Sequence, residues 1–132
     1  MHAAPVILVV EDDPLVRRLS CRIIGEMGFT CEEAGDGATA LDMLRRRASR
    51  YSLILTDIAM PGLNGADLCS TVLTENPDQQ ILCMSAYPAS TLASTGRLPG
   101  WVPFIPKPFR PEQLERTIRG LLRGRADGDA PA

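Results

Sequence analysis

The residues that could do chemistry in this sequence stand directly after short apolar runs. Three acids follow the first run, one acid the third, one hydroxyl the fourth and one ammonium the fifth. In chain order they are Glu11, Asp12, Asp13, Asp57, Ser85 and Lys107. Two carboxylates about 6 Å apart repel by roughly 3 kcal/mol at an effective dielectric of about 20. Neighbouring acids therefore need a counter-charge, and Mg²⁺ held by carboxylate oxygens is the expected one.

A metal site of this kind acts on phosphate, because the cation offsets the charge on phosphoryl oxygens. A lysine ammonium and a serine hydroxyl would contact further phosphoryl oxygens, and an aspartate can accept the phosphoryl group as a nucleophile. These residue types together predict a Mg²⁺-dependent site that forms an acyl phosphate.

Lys107 is the only lysine among the 14 basic residues, and it lies between Pro106 and Pro108. The other 13 basic residues are arginine. A compact ammonium and a planar guanidinium are not interchangeable at a phosphoryl site. The position of the single lysine therefore supports a specific role for it.

Five short runs have the character of strands. The second alternates and carries Glu32 and Glu33, which suits an edge strand, whereas the first, third and fourth are almost continuously apolar, as strands covered on both faces are. The predicted strands are Val6–Val10, Thr30–Ala34, Ser52–Thr56, Gln80–Met84 and Trp101–Ile105.

Helical patterns separate these strands. Asp13, Asp36 and Asn64 are candidate N-caps, Pro111 opens the last helix, and Gly28 ends the first. The first helix is predicted to bury one stripe, made of Leu15, Leu19, Ile23 and Met27. Later helices are predicted to turn inward Leu41 and Leu44, then Leu68, Val72 and Leu73, and finally Leu114, Ile118 and Leu121.

Alternating strands and helices predict an α/β fold, a doubly wound five-stranded parallel sheet with helices on both faces. Such sheets bind ligands beyond the carboxyl ends of their strands, where the acids, Ser85 and Lys107 stand. The fourth crossover, Tyr87–Gly100, is rich in proline and glycine, so we expect a short or irregular fourth helix there. The predicted boundaries are a tail at 1–5, one domain at 6–122 and a disordered tail at 123–132.

Composition excludes several classes of protein. No apolar run approaches the roughly 20 residues of a membrane helix, and the N-terminal apolar run is too short for a signal peptide. A net charge of −2 argues against nucleic-acid binding. The four cysteines have no metal-binding spacing and are interpreted as small buried apolar residues in a reducing compartment: Cys21, Cys31, Cys69 and Cys83.

Four segments resemble the receiver domain of two-component response regulators, and the likeness extends from Val6 to about Leu122. They are ILVVEDDPLVR (Ile7–Arg17), LILTDIAMPGLNG (Leu53–Gly65), MSA (Met84–Ala86) and KPF (Lys107–Phe109). The resemblance implies the flavodoxin-like strand order 2-1-3-4-5. It also implies a cytoplasmic, bacterial signalling protein rather than an enzyme with a separate substrate.

The resemblance assigns a role to each site residue. Asp57 would accept a phosphoryl group from a sensor histidine kinase or a histidine phosphotransfer protein. Mg²⁺ would be bound by Glu11, Asp12, Asp57 and the backbone carbonyl of Ala59. Lys107 would bind the phosphoryl group. The Lys107–Pro108 peptide bond is often cis in this family, which would direct the lysine side chain into the site. Ser85 and Phe104 would form the switch, although a core aromatic explains Phe104 equally well. Asp13 is interpreted as a helix cap.

Two features depart from the commoner receiver pattern. Ala59 and Tyr87 lie two residues beyond Asp57 and Ser85, and Ala59 has no polar group to orient a hydrolytic water. Slow self-dephosphorylation is therefore expected, with Tyr87 shielding the phosphoryl group. The irregular fourth crossover is similar to the same segment in receivers of hybrid histidine kinases. A homodimer through the surface of the fourth helix, fifth strand and last helix stays open.

Two other functions are weighed. A non-phosphorylated pseudo-receiver scaffold would keep the fold without the chemistry. A haloacid-dehalogenase-type phosphatase would need its nucleophile after the first strand in a DxDx(T/V) pattern, where this sequence has Glu11-Asp12-Asp13-Pro14.

Overall fold

Five parallel strands pair in the order β2-β1-β3-β4-β5. The structure is a computed structural model that describes residues 4–47, 50–58, 65–85 and 102–129, with side chains up to residue 123. The strand order and edge position of β2 confirm the predicted fold. The strands are β1 (Val6–Val10), β2 (Thr30–Ala34), β3 (Leu53–Asp57), β4 (Ile81–Ser85) and β5 (Phe104–Pro106).

Helices cover both faces of this sheet. The described helices are α1 (Pro14–Glu26), α2 (Gly37–Arg46), α3 (Gly65–Glu75) and α4 (Pro111–Asp129). Alternate strand residues pack with α2 and α3 on one face and with α1 and α4 on the other. The predicted helix between residues 87 and 100 lies outside the described residues. Within the described part of the chain, no helix combines the length and apolarity needed to cross a membrane.

The caps that the sequence predicts around the first two helices are present. Asp13 accepts a hydrogen bond from the Leu15 amide at 2.9 Å, and Asp36 accepts one from the Thr39 amide at 2.7 Å. Gly28, just beyond α1, has φ +89°, a conformation that side chains other than glycine rarely adopt. Both helices therefore begin at the predicted cap, and α1 ends at the predicted glycine.

The bounds of β3, β4 and β5 differ from those predicted. The first two are shifted by one residue, so Asp57 and Ser85 end strands rather than follow them. β5 begins only at Phe104. Strand limits depend on hydrogen bonding to a neighbouring strand, such as the pairing of Ser85 with Pro106, which the composition of one segment does not reveal.

The predicted buried stripe of α1 is wrong for its first half. Leu15 is 78% exposed and Leu19 is 48% exposed, while the buried positions are Ser20, Ile23 and Ile24. The Ser20 hydroxyl donates to the Val16 carbonyl at 2.8 Å, so this polar residue can be buried without an unsatisfied group. The sheet therefore contacts a neighbouring face of the helix, and two leucines remain in solvent.

The interpretation of the cysteines is half right. Cys69 and Cys83 are free and buried, as predicted. Cys21 on α1 and Cys31 on β2 instead form a disulfide, with Cα atoms 5.5 Å apart. That separation lies within the ordinary range for a disulfide. It arises because α1 packs beside β2, a contact between elements that cysteine spacing in the sequence does not report.

The last helix also differs from its prediction. Its backbone is helical to Asp129, whereas a tail without regular structure was expected from Arg123. Helical hydrogen bonds are local, and adding a residue to an existing helix costs less than starting one, so the backbone can continue without a buried face. An absent apolar pattern therefore did not mark the end of the helix.

A half-buried acid on the edge strand β2, Glu32, lends itself to a test by pH. Glu32 accepts hydrogen bonds from Tyr51 Oη and Arg50 Nε, both at 2.7 Å. The Tyr51 hydrogen bond lowers the pKa of Glu32 below 4.5, helped by the Arg50 hydrogen bond and the charges of Arg50 and Arg47 and opposed by partial burial. A lowered folded-state pKa means that the stabilisation is present above pH 4.5 and is lost as pH falls through the folded-state value.

We expect Glu32→Gln to lower the free energy of unfolding by about 1–2 kcal/mol at pH 7. The difference from wild type should shrink as the pH falls toward 3, because wild-type Glu32 then becomes protonated. Urea unfolding at both pH values measures this difference. Glu26→Gln, which breaks only the exposed pair with Arg22, is the control and should change little. An equal difference at both pH values would contradict the account.

Candidate functional site

The carboxyl ends of β1, β3 and β5 bring three charged groups together. Glu11 directly follows β1, and its amide donates to the Ala34 carbonyl at 3.1 Å. Asp57 is the last residue of β3. Lys107 directly follows β5, and its amide donates to the Ser85 carbonyl at 2.8 Å. Backbone hydrogen bonds between neighbouring strands therefore determine where these side chains start.

Lys107 forms ion pairs with two buried acids. Its Nζ lies 2.5 Å from Glu11 Oε1 and 2.6 Å from Asp57 Oδ2. The side chains of Glu11 and Asp57 are only 1% and 7% exposed, whereas that of Lys107 is 20% exposed. One ammonium thus compensates two carboxylates that water hardly reaches.

A third carboxylate completes an acidic cluster. Glu11, Asp12 and Asp57 each offer one oxygen, and these oxygens lie within 4.8 Å of one another. Asp12 is exposed, so the cluster is open to solvent on one side. Oxygen donors that converge in this way, with room left for water, fit Mg²⁺. Asp13 lies beside this group as a cap of α1, and its amide donates to Glu11 Oε2 at 3.1 Å.

Burial and charge alter the acid–base properties of the cluster in opposite directions. Burial, the largest influence, raises the pKa of Glu11 to about 7, although the hydrogen bond from Lys107 opposes it. Burial alone would lower the pKa of Lys107, but the hydrogen bonds of Asp57 and Glu11 outweigh it and raise that pKa. Lys107 therefore stays protonated, whereas Glu11 is partly protonated near pH 7 in the absence of a metal ion.

The first residue of α3 lies so close to the end of β3 that only glycine fits there. A Cβ atom on Gly65 would lie 2.0 Å from the Asp57 carbonyl oxygen and 2.7 Å from Ile58 Cα. The Gly65 amide also donates to the Ile58 carbonyl at 2.9 Å. Gly65 therefore determines how near α3 can start to the backbone of Asp57.

Gly65→Ala is expected to lower the free energy of unfolding by about 3 kcal/mol, because rigid backbone atoms must move to admit the methyl group. Gly120→Ala is the matched control. Among the described residues, no atom beyond its chain neighbours and its own helix backbone lies within 4 Å of a Cβ there, and alanine should stabilise α4 by about 0.5–1 kcal/mol. Thermal and urea unfolding compare the two variants. Equal effects at both glycines would contradict the proposed close approach.

The remaining predicted residues are distributed as follows. Ser85 is fully buried at the end of β4, and Phe104 is half-buried against the core on the side of α2 and α3. The Lys107–Pro108 peptide bond is cis, the form expected from the resemblance. Ala59, Asn64 and Tyr87 lie outside the described residues, so the metal-ligand, capping and hydrolysis assignments for them stay predictions.

Arg17 is a polar residue of the site that the sequence did not predict. Arg17 on α1 donates from Nη1 to the Glu11 carbonyl at 2.9 Å and from Nε to Glu33 Oε1 at 3.0 Å. The available sequence signal was its place six residues after Glu11, in the first turn of α1. Among 13 arginines, that spacing did not distinguish it.

Comparison with known proteins agrees with this geometry. The sequence model of the response regulator receiver domain matches residues 7–119. Response regulator MprA of Mycobacterium leprae is 35% identical over 124 residues, covering 94% of this chain and 54% of that protein. Sensor kinase CckA of Brucella abortus is 27% identical over 122 residues, covering 92% of this chain and 13% of the kinase. The chain thus spans about half of one relative and a small part of the other.

Solved structures give the same result. The receiver domain of the hybrid histidine kinase CckA superposes with a TM-score of 0.74 at 28% identity, covering 89% of this chain and 98% of that domain. A CheY-like receiver domain protein from Methanospirillum hungatei has a TM-score of 0.83 at 22% identity, covering 96% and 99%. The second likeness concerns the fold alone.

Proposed function

This chain belongs to the response regulator receiver domain family, a family of signalling domains, and on that premise we propose that Asp57 accepts a phosphoryl group. The observation that carries the proposal is the position of Lys107, whose ammonium contacts Glu11 and Asp57 beside a third carboxylate. A nucleophile, a cation site and a fixed positive charge are the parts that phosphoryl transfer requires.

Each residue of the cluster has a distinct task in the proposed reaction. A carboxylate oxygen of Asp57 forms a bond to phosphorus while the bond from phosphorus to the donor's imidazole nitrogen breaks. The electron pair stays on that nitrogen, which then takes a proton from water. Lys107 would stabilise negative charge on the phosphoryl oxygens, and Glu11 and Asp12 would hold Mg²⁺ together with Asp57. The bound cation would offset phosphoryl charge.

The switch is part of the same proposal. Ser85 stands at the end of β4, and its carbonyl accepts the amide hydrogen bond of Lys107. A movement of Ser85 toward a phosphoryl group would therefore be transmitted to β5, which contains Phe104. Three further points belong to the proposal. Hydrolysis of the phosphoryl group would be slow, because Ala59 cannot orient a water and Tyr87 would shield the group. The protein would be cytoplasmic, and it would form a homodimer through the face that includes β5 and α4.

The proposed donor is a histidine kinase or a histidine phosphotransfer protein, and the surface of α1 supports such a partner. Leu15 and Leu19 are exposed large apolar residues. Leu15 lies next to the acidic loop, because its amide donates a hydrogen bond to Asp13 Oδ1. A protein that brings phosphohistidine to Asp57 would bury these leucines as it docks.

We expect Leu15→Ala with Leu19→Ala to slow transfer from a phosphorylated histidine kinase by about tenfold or more, because exposed apolar anchors stabilise a complex once buried. The rate with acetyl phosphate should stay within about twofold, since a small donor needs no docking surface. Radiolabel transfer and intact mass spectrometry measure the two rates. Equal slowing with both donors would place the leucines in the folding of the site rather than in docking.

The proposed function is tested with Mg²⁺ and acetyl phosphate. Intact mass spectrometry should show the gain of one phosphoryl group on the wild type, dependent on Mg²⁺ and lost in Asp57→Asn. Asp36→Asn, which removes a carboxylate at an exposed helix cap, is the control and should still be labelled. No gain of mass on the wild type would favour the alternative of a non-phosphorylated pseudo-receiver scaffold. Continuous release of phosphate over many turnovers would favour the phosphatase.

A further inference from the structure

We propose that Arg17 is a positioning residue that holds the acidic loop between β1 and α1 in the geometry that binds a divalent cation. The inference rests on the proposed function, because it assigns Arg17 to the Mg²⁺ site described above. It is carried by hydrogen bonds that join this loop to the end of β2.

Both backbone groups of Glu11 are engaged. Its amide donates to the Ala34 carbonyl at 3.1 Å, and its carbonyl accepts from Arg17 Nη1 at 2.9 Å. The two peptide planes that flank the Glu11 Cα are therefore each held by a hydrogen bond, which leaves little freedom in the direction of the Glu11 side chain. The same carbonyl belongs to the peptide that leads to Asp12, so Arg17 also constrains the position of the exposed acid.

Arg17 itself is held from the neighbouring strand. Its Nε donates to Glu33 Oε1 at 3.0 Å, and the Arg17 side chain is 22% exposed. A Cβ on Gly35 would lie 3.4 Å from Nη1, so the guanidinium packs against the backbone just beyond β2. The planar fork thus joins two acceptors in different elements, which an ammonium cannot do equally well.

Arg17 does not approach the cation in this account. It acts on the backbone that carries two of the three carboxylates. Residues behind metal ligands orient them, and their removal typically weakens metal affinity by about 10- to 100-fold. We therefore expect Arg17→Met to weaken Mg²⁺ binding by about tenfold. Arg17→Lys should have an affinity for Mg²⁺ between those of Arg17→Met and the wild type.

The test is calorimetric titration of Mg²⁺ alone into the full chain, with hydrogen exchange of the metal-free protein as a second readout. Arg22→Met is the matched control, because Arg22 lies on the same helix and, within the described part of the chain, its ion pair is with Glu26 on the surface. Arg17→Met should bind Mg²⁺ about tenfold more weakly and exchange the Glu11 amide faster. Arg22→Met should match the wild type in both, and urea unfolding separates these effects from a general loss of stability.

Failure of this inference differs from failure of the proposed function. Wild-type affinity for Mg²⁺ in Arg17→Met, or an equal loss in Arg22→Met, would overturn the role of Arg17 and leave the metal site intact. No binding by the wild type would overturn the metal site. In that case Arg17 would keep a positioning role only if the Glu11 amide exchanged faster in Arg17→Met, and unchanged exchange would overturn it as well.

Discussion

Replacing Lys107 with methionine is expected to slow transfer of a phosphoryl group from acetyl phosphate to Asp57 by about 100- to 1,000-fold. Loss of one preorganised donor from a site where charge develops has an effect of this size. Lys107 Nζ lies 2.6 Å from Asp57 Oδ2, so the ammonium is already placed beside the attacking group. Methionine keeps much of the length of the side chain but none of the charge.

The same substitution should have the opposite effect on the cation. The ammonium repels Mg²⁺ and competes with it for Glu11 and Asp57. Its removal should therefore tighten Mg²⁺ binding at a pH high enough to ionise Glu11, whose pKa is about 7 with Lys107 present and rises when the Lys107 hydrogen bond is lost. A slower reaction together with tighter metal binding distinguishes a lost phosphoryl contact from a collapsed site.

Two variants serve as controls for Lys107. Arg45→Met breaks an exposed ion pair with Glu75 and should change neither the rate nor the affinity. Lys107→Arg keeps the charge but introduces a planar fork, and we expect a rate well below that of the wild type. A rate for Lys107→Met within about threefold of the wild type would contradict the proposed role of the ammonium.

Reduction of the disulfide between Cys21 and Cys31 is expected to lower the free energy of unfolding by about 2.7 kcal/mol, or about 10 °C in Tm. The bond closes a loop with a sequence separation of 10 and joins α1 to β2. Opening it restores conformational entropy to the unfolded chain. The reduced protein should still fold, because Ile23 and Ile24 keep α1 packed on the sheet.

The double variant Cys21→Ser with Cys31→Ser is the control for reduction. It should have the stability of the reduced wild type and should not respond to dithiothreitol. The buried pair of Cys69 and Cys83 is present in both proteins, so its chemistry cancels in the comparison. Equal stability of oxidised and reduced wild type would contradict the stabilising role of the disulfide.

Much of the fold could be predicted because the residue composition of each strand indicates whether it is buried on both faces or lies at the edge. Apolar runs such as Val6–Val10 indicate strands covered on both faces, and Glu32 and Glu33 indicated the edge. The charged residues could be predicted for a related reason, since parallel strands bring their carboxyl ends to one edge. The positions of Asp57 and Lys107 follow from that rule alone.

What the sequence did not predict depends on contacts between elements. The exposed face of α1, with Leu15 and Leu19, is determined by how that helix rotates against the sheet. The disulfide depends on the same packing. Arg17 became recognisable only when its distance to the Glu11 carbonyl was known. Periodicity within one helix carries none of this information.

Identification of the labelled residue tests the central claim most directly. The wild-type chain is incubated with acetyl phosphate and Mg²⁺, treated with hydroxylamine, digested and mapped by tandem mass spectrometry. Hydroxylamine converts an acyl phosphate to a hydroxamate at the residue that carried it. We predict a hydroxamate at Asp57 and at no other acid of the cluster. A hydroxamate at Glu11 or Asp12, or a stable phosphate on Ser85, would contradict the account.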